Sequence, residues 1–231
     1  MNKLDVCPKT AAIFDLDGTL FTGHFWHGIV EHHRKHRVKT VQTSTYLVTH
    51  YPLWIGNKLK LISEEGFKTK WGEDLAVLLK GFSEDEMINV FKWIDEFYFA
   101  GRLRLDMMEL LQSHLKQGHT IFLLSGAFQG FLEIIKQNIG IEHVVGTRLD
   151  MVNGRCSGRV EKPFCFGKYK VVLLRQYINR MNLKIDLEAS FAYADSLTDV
   201  PVLEMVGNPV ASYPAKGLLQ LAKRRDWRVV P

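Results

Sequence analysis

Short apolar runs that stop at polar residues recur along this chain, and helical spacing follows each of them. Ala11 to Phe14 is the first run, continued by Asp15-Leu16-Asp17-Gly18, and it predicts a buried strand ending in a turn. Residues 119–124 repeat the pattern: Thr120-Ile121-Phe122-Leu123-Leu124 leads into Ser125-Gly126 and then into the amphipathic stretch Phe128 to Ile139. Phe191 to Ala194 is a third strand, ending at Asp195 and followed by a helix-like segment with Pro201 near its start; Gly207 to Ala211 is a fourth. Short apolar strands alternating with helical patterns predict an α/β fold, a parallel sheet with helices on both faces. Ligands of such sheets bind beyond the carboxyl ends of the strands. Asp15 and Asp17, Ser125-Gly126, and Asp195 and Asp199 all fall at such ends.

The stretch between the first two strands reads as helical throughout. Ser83-Glu84-Asp85-Glu86 has capping-box spacing, and Met87, Val90, Phe91, Ile94, Phe97 and Tyr98 follow with helical period. His24 to Val38 and Val41 to Tyr51 are two further helices, with a break expected near Pro52. A simple crossover does not need a segment of this length. Residues 20–100 are therefore expected to form an inserted helical cap, and 1–19 with 101–231 the core. Between Arg148 and Glu161, Asn153-Gly154 is a hairpin turn signal.

Composition narrows the class. With 231 residues, 46% hydrophobic and 24% charged, the chain has ordinary globular usage and can bury a full core. Cys7, Cys156 and Cys165 show no metal-ligand spacing and do not suggest a disulfide scaffold, so a reducing compartment is expected. No 18-residue apolar window occurs, and the opening MNKLDVCPKT has no apolar signal core; the expectation is a cytoplasmic protein with no membrane span. A net charge of +5 favours anionic partners. Charge alone does not choose among nucleic acid, an anionic membrane surface and a small anionic substrate; no nucleic-acid-binding motif or internal repeat accompanies it, so nucleic acid is not expected. The oligomeric state is left open.

Asp15-Leu16-Asp17-Gly18-Thr19 carries the chemistry. Extended residues i and i+2 point the same way, and two carboxylates that close repel unless a cation or proton lies between them. A hard divalent cation such as Mg²⁺ suits oxygen ligands. One carboxylate is then placed to attack phosphorus while the other moves a proton.

These residues resemble the first motif of the haloacid dehalogenase-like superfamily of phosphohydrolases, and the other motifs follow in order. Leu123-Leu124-Ser125-Gly126 resembles the second, Lys168 in Phe166-Gly167-Lys168 the third, and Asp195-Ser196-Leu197-Thr198-Asp199 the fourth. The insertion between the first and second motifs, with G-T-R-L-D, A-Y-A-D-S-x-x-D-x-P-x-L, V-G-N-P-V-A and R-R-D-W, is similar to the phosphoserine phosphatase-like subgroup IB. The resemblance implies a three-layer αβα Rossmann-like core with an all-helical C1-type cap. It implies a Mg²⁺-dependent phosphatase acting on a small phosphomonoester, with Asp15 as the nucleophile that becomes an aspartyl-phosphate and Asp17 as general acid and base. The metal would be held by Asp15, the backbone carbonyl of Asp17, Asp195 and Asp199. Ser125 and Gly126 would bind the phosphoryl oxygens where a helix begins, and Lys168 would supply positive charge. Singly, Ser125 reads as a helix cap, Lys168 as a surface lysine and Asp199 as a helix-start aspartate. A phosphotransferase or phosphomutase of the same superfamily, or a non-catalytic phospho-ligand-binding module, is the alternative; no motif residue is missing.

His24 stands where phosphoserine phosphatases carry a glutamate that reads the substrate ammonium, so the resemblance does not extend to phosphoserine, though His24 is a substrate-facing candidate. His32, His33 and His36 read as a solvated helix end. Most of the tryptophans Trp26, Trp54, Trp71 and Trp93 read as cap core, with a minority lining a pocket for an apolar leaving group. Arg34-Lys35-His36-Arg37-Lys39 and Lys223-Arg224-Arg225 read as solvated basic faces.

Overall fold

The structure, a computed structural model, describes residues 7–59, 61 and 63–230. Six parallel strands form the sheet: β1 (Lys9–Phe14), β2 (Thr120–Phe128), β3 (His143–Thr147), β6 (Ile185–Ala194), β7 (Asn208–Ser212) and β8 (Arg228–Val230), in the order β3-β2-β1-β6-β7-β8. The four runs expected as strands are all there. The central strands read as continuous apolar runs because both of their faces are covered. Along β1, Ala12 and Phe14 enter one apolar layer and Ala11 and Ile13 the other; along β2, Ile121 and Leu123 oppose Phe122 and Leu124. A two-stranded hairpin, β4 (Leu149–Val152) and β5 (Arg155–Val160), turns at Asn153-Gly154, both at positive φ as a tight hairpin requires.

Between β1 and β2 the chain is helical: α1 (Phe25–His36), α2 (Thr40–Lys58), α3 (Glu64–Asp74) and α4 (Glu84–Trp93), with a 3₁₀ turn at Leu75–Leu79 and a π turn at Ile94–Phe99. The Ser83 capping box forms, its N–H donating to Glu86 Oε2 at 2.7 Å and its Oγ accepting the Glu86 N–H at 3.3 Å. Two expectations fail. The break near Pro52 does not occur, since α2 runs through it. Pro52 and Val48, whose carbonyl loses its helical partner, are exposed, so water can take that carbonyl. His33 is buried rather than solvated, its Nε2–H donating to the Leu78 carbonyl at 2.9 Å. The side chain of Trp54 and residues 1–6 of the opening segment lie outside the described residues; Trp26, Trp71 and Trp93 are half-buried.

The helical stretch shares one apolar core with the sheet. Phe25 of α1 stacks on Phe131 at 4.5 Å and meets Phe128 edge-on at 5.5 Å. Phe131 belongs to α6 (Gln129–Ile139), which with α5 (Leu105–Lys116) flanks this layer. The other face is covered by α7 (Lys168–Arg180), α8 (Val200–Leu203) and α9 (Lys216–Arg224). Among the described residues no helix is long and apolar enough to cross a membrane.

One buried titratable group sits in the core away from the strand ends. His114 of α5 is 4% exposed, 2.7 Å from Tyr193 Oη through Nε2 and 2.7 Å from His119 Nδ1. Burial, with the charges of His119 and Arg228, pushes its pKa down to about 4. An unfolded histidine takes up its proton near pH 6.5, so below that pH the unfolded chain binds more protons and stability falls until about pH 4. Lowering the pH from 7 to 5 is expected to remove about 2 kcal/mol through this group alone. Urea unfolding of wild type and His114→Gln at both pH values checks it: the variant should lose less by that amount, and equal losses would contradict the assignment.

Candidate active site

The direction in which successive strands are added reverses at β1, whose neighbours are β2 and β6, and the crevice at such a switch point is where ligands bind. Asp15 follows β1 directly, its N–H donating to the Tyr193 carbonyl at 3.0 Å to extend the pairing with β6. The chain then turns tightly: the Phe21 N–H returns to the Leu16 carbonyl at 3.0 Å and the Gly18 N–H to the Phe21 carbonyl at 2.8 Å. Gly18 adopts φ +85°, and a Cβ there would lie 2.2 Å from Asp195 Oδ2. Glycine therefore provides both the turn and the room in which the Asp195 carboxylate sits.

Asp17 is held from the helical side. The backbone N–H of Phe25, the first residue of α1, lies 3.1 and 3.0 Å from its two carboxylate oxygens. His24 does not cap α1 through its own side chain, so Asp17 is the anion at that helix N-terminus.

Asp195 follows β6, and Ser196 Oγ donates to Asp199 Oδ2 at 3.0 Å. Oxygens of Asp15, Asp195 and Asp199 lie within 4.8 Å of one another. The cation beside them is Lys170: its Nζ donates to Asp15 Oδ1 at 2.6 Å and to Asp199 Oδ1 at 2.5 Å. This corrects the assignment of Lys168, which is exposed with its Nζ over the Tyr169 ring. Both lysines open α7, and positions two apart on a helix point to nearly opposite sides. Lys170 shares the buried face with Leu174 one turn on, and Lys168 faces out.

Ser125 and Gly126 lie within the extended segment of β2, at a register irregularity between Leu124 and Phe128, and α6 begins only at Gln129. The amphipathic stretch expected over Phe128 to Ile139 is that helix, with Phe128 in the cap position, so Ser125 caps no helix. Its Oγ accepts the Ala127 N–H at 3.1 Å, which leaves the hydroxyl proton for another acceptor. The Gly126 carbonyl is taken by Thr147 Oγ1 at 2.9 Å.

Charge crowding dominates the electrostatics. Burial pushes the Asp15 pKa up to about 7, with Lys170 opposing and Asp199 and Asp195 adding to the rise. Burial likewise raises Asp17 to about 7, against the Phe25 N–H, and Asp195 to about 6, with Asp199 adding to the rise. Lys170 itself is held firmly protonated: the two carboxylates outweigh its burial. Four carboxylates thus crowd around Lys170, and the donor set near Asp15, Asp195 and Asp199 is all oxygen. Both features fit a hard divalent cation. Cys165, also buried here, has its thiol pushed up to about 12 and is inert.

Above these groups opens a cavity of about 570 Å³, lined by Asp15, Asp17, Ser125, Lys170, Asp195 and Asp199 on its floor and by side chains of α1, α2 and α3. His24 lines it while remaining solvent-exposed; crowding around the ring and the charges of His27 and Lys68 lower its pKa, so it is neutral at pH 7. Lys68 and Phe164 also line the cavity and carry no sequence signal of it, while Trp26 and Trp71, which line it too, belong to the tryptophans of which a minority is expected at a pocket. A larger groove of about 690 Å³, lined by Phe191, Asn208 and Trp227, lies at the opposite ends of β6 and β7, away from the carboxylates.

A model of the haloacid dehalogenase-like hydrolases matches residues 12–204. Phosphoserine phosphatase SerB1 of Mycobacterium tuberculosis is 28% identical over 225 residues, 95% of this chain and 70% of that protein. The histidinol-phosphatase of Neisseria meningitidis is 25% identical over 227 residues, 96% of this chain and 98% of that one. The crystal structure of a protein of unknown function from Bordetella pertussis Tohama I superposes with a TM-score of 0.82 at 24% identity, covering 97% of this chain and 99% of that chain.

Proposed function

The chain belongs to the haloacid dehalogenase-like hydrolases, and on that premise we propose that it is a Mg²⁺-dependent phosphatase that hydrolyses a small phosphomonoester by way of a phosphoryl group carried on Asp15. The observation that carries this reading is the Lys170 ammonium bridging Asp15 and Asp199, with Asp195 and Asp17 beside them, at the switch point of the sheet. Residues 20–100 serve as the cap, and 1–19 with 101–231 as the core.

Lys170 fixes the Asp15 carboxylate and offsets the charge that a phosphoryl dianion brings. An oxygen of Asp15 attacks phosphorus in line, the P–O bond to the alcohol breaks, and Asp17 gives its proton to the departing oxygen. The raised pKa of Asp17 suits that donation. Water then attacks the phosphorus of the aspartyl-phosphate, Asp17 takes the proton back, and Asp15 leaves as a carboxylate with inorganic phosphate. The Ser125 hydroxyl and the Gly126 N–H act as donors to the non-bridging oxygens, and His24 faces the leaving group.

Asp15, Asp195 and Asp199, with the Asp17 carbonyl, would hold Mg²⁺. The ion supplies positive charge that screens the attacking carboxylate from the phosphoryl oxygens.

Phosphate release from an aryl phosphate tests the metal. EDTA is expected to silence the enzyme and excess Mg²⁺ to restore it, and insensitivity to EDTA would contradict the site. Because the ion binds the folded chain, Mg²⁺ at 100 times its Kd should also stabilise the protein by about 2.7 kcal/mol in urea unfolding.

A further inference from the structure

We propose that the leaving group is a bulky apolar alcohol, aryl or long-chain alkyl, and not serine or another amino alcohol; this rests on the phosphatase reading and names its substrate class. The apolar part of the cavity wall above the carboxylates includes Trp26, Leu47, Phe67, Trp71, Phe164 and Phe166. All but Phe164 are half-buried. Trp71 meets Trp26 edge-on at 5.2 Å and Phe67 at 5.4 Å, while Phe164 and Phe166 lie nearly parallel at 5.8 Å. The rings come from two sides: Phe67 and Trp71 from α3, Phe164 and Phe166 from the loop before α7. The ring of Phe164 sits over Gly72, where a Cβ would lie 2.3 Å from its Cζ, so α3 approaches that loop as only glycine permits.

The charges above the floor are of the wrong sign for an amino alcohol. Among the described lining residues the carboxylates are Asp15, Asp17, Asp195 and Asp199, all at the reacting centre. Among the described lining residues, the basic side chains on the helical side are Lys68 and His24, no carboxylate stands with them, and the charge of Lys68 lowers the His24 pKa, so its positive field reaches across that wall. That field draws a phosphate inward and repels an ammonium. Pockets of roughly 300–1,000 Å³ suit drug-sized molecules, and this one offers a leaving group far more room than a three-carbon amino acid fills.

The test is kcat/KM with Mg²⁺ for ethyl, butyl, hexyl and 1-naphthyl phosphate beside phosphoserine and phosphoethanolamine. The alkyl series should rise by about fourfold per buried methylene until the wall is filled. Naphthyl phosphate should exceed both amino-alcohol esters by about a hundredfold, the product of several such apolar contacts. Trp71→Ala and Phe67→Ala should each lower kcat/KM for naphthyl phosphate about tenfold more than for ethyl phosphate, mainly through KM, a differential that misfolding would not produce. A flat alkyl series, or a preference for phosphoserine or phosphoethanolamine, would overturn the proposal while leaving the phosphatase standing. No Mg²⁺-dependent release from any ester would overturn the phosphatase reading and this inference with it.

Discussion

Replacing Asp15 by asparagine is expected to lower kcat by at least about 10⁴-fold, the scale seen when a nucleophile acting within a catalytic unit is removed. Asparagine has nearly the same shape, and its carbonyl oxygen can still accept from Lys170, but the amide cannot form the phosphoryl ester. The fold should not suffer. Asp15 is buried among Asp195 and Asp199, and its pKa lies near 7 without metal, so ionising it opposes folding. The sign is that of any acid raised by burial: its contribution to stability is present near pH 4 and lost as pH rises toward 7. Without Mg²⁺ at pH 8, Asp15→Asn should therefore be at least as stable as wild type in urea. An active variant would sink the covalent mechanism. A variant that is inactive but unfolded would sink the view that this carboxylate opposes folding.

Removing Lys170 has the second large effect. Lys170→Met is expected to lower kcat/KM by about 10²–10³-fold, since a preorganised charge at the reacting centre is lost. It should also destabilise the protein by about 3–5 kcal/mol, because two buried carboxylates lose the cation they share. Lys168→Met, two residues away and exposed, should change kcat/KM by less than about twofold. Steady-state kinetics and urea unfolding of the two variants side by side decide the matter. If Lys168→Met lost activity and Lys170→Met kept it, the geometry around Asp15 would be misassigned.

That pair of lysines shows where the sequence is legible and where it is not. The motif Asp15-Leu16-Asp17-Gly18 reads directly because a strand delivers its last residues to one place, and the turn after it needs glycine for a local reason. Phe166-Gly167-Lys168-Tyr169-Lys170 is ambiguous because either lysine satisfies a spacing argument, and only the helical phase separates them. The signal was present: Lys170 continues the stripe formed by Leu174 and Ile178 at helical period, and Lys168 does not. Strand β3 was missed because His143-Val144-Val145-Gly146-Thr147 has only two strongly apolar residues, and β8 because it is a three-residue edge. The break near Pro52 failed for a different reason: the helix runs on through the proline at an exposed position, where water is available to the carbonyl that loses its partner. The cavity wall was least legible. It joins α1, α2 and α3 to a loop nearly a hundred residues later in the chain, and no local pattern records which ring of a helix meets which ring of that loop.

The central claim is that phosphorus passes through Asp15. The steric course at phosphorus tests it without requiring the intermediate to accumulate. An aryl phosphorothioate made chiral with oxygen isotopes is hydrolysed with Mg²⁺ in isotopically labelled water, and the configuration of the released thiophosphate is read. Two successive in-line displacements, first by Asp15 and then by water, predict net retention. Net inversion would mean that water attacks the substrate directly, and would contradict the account.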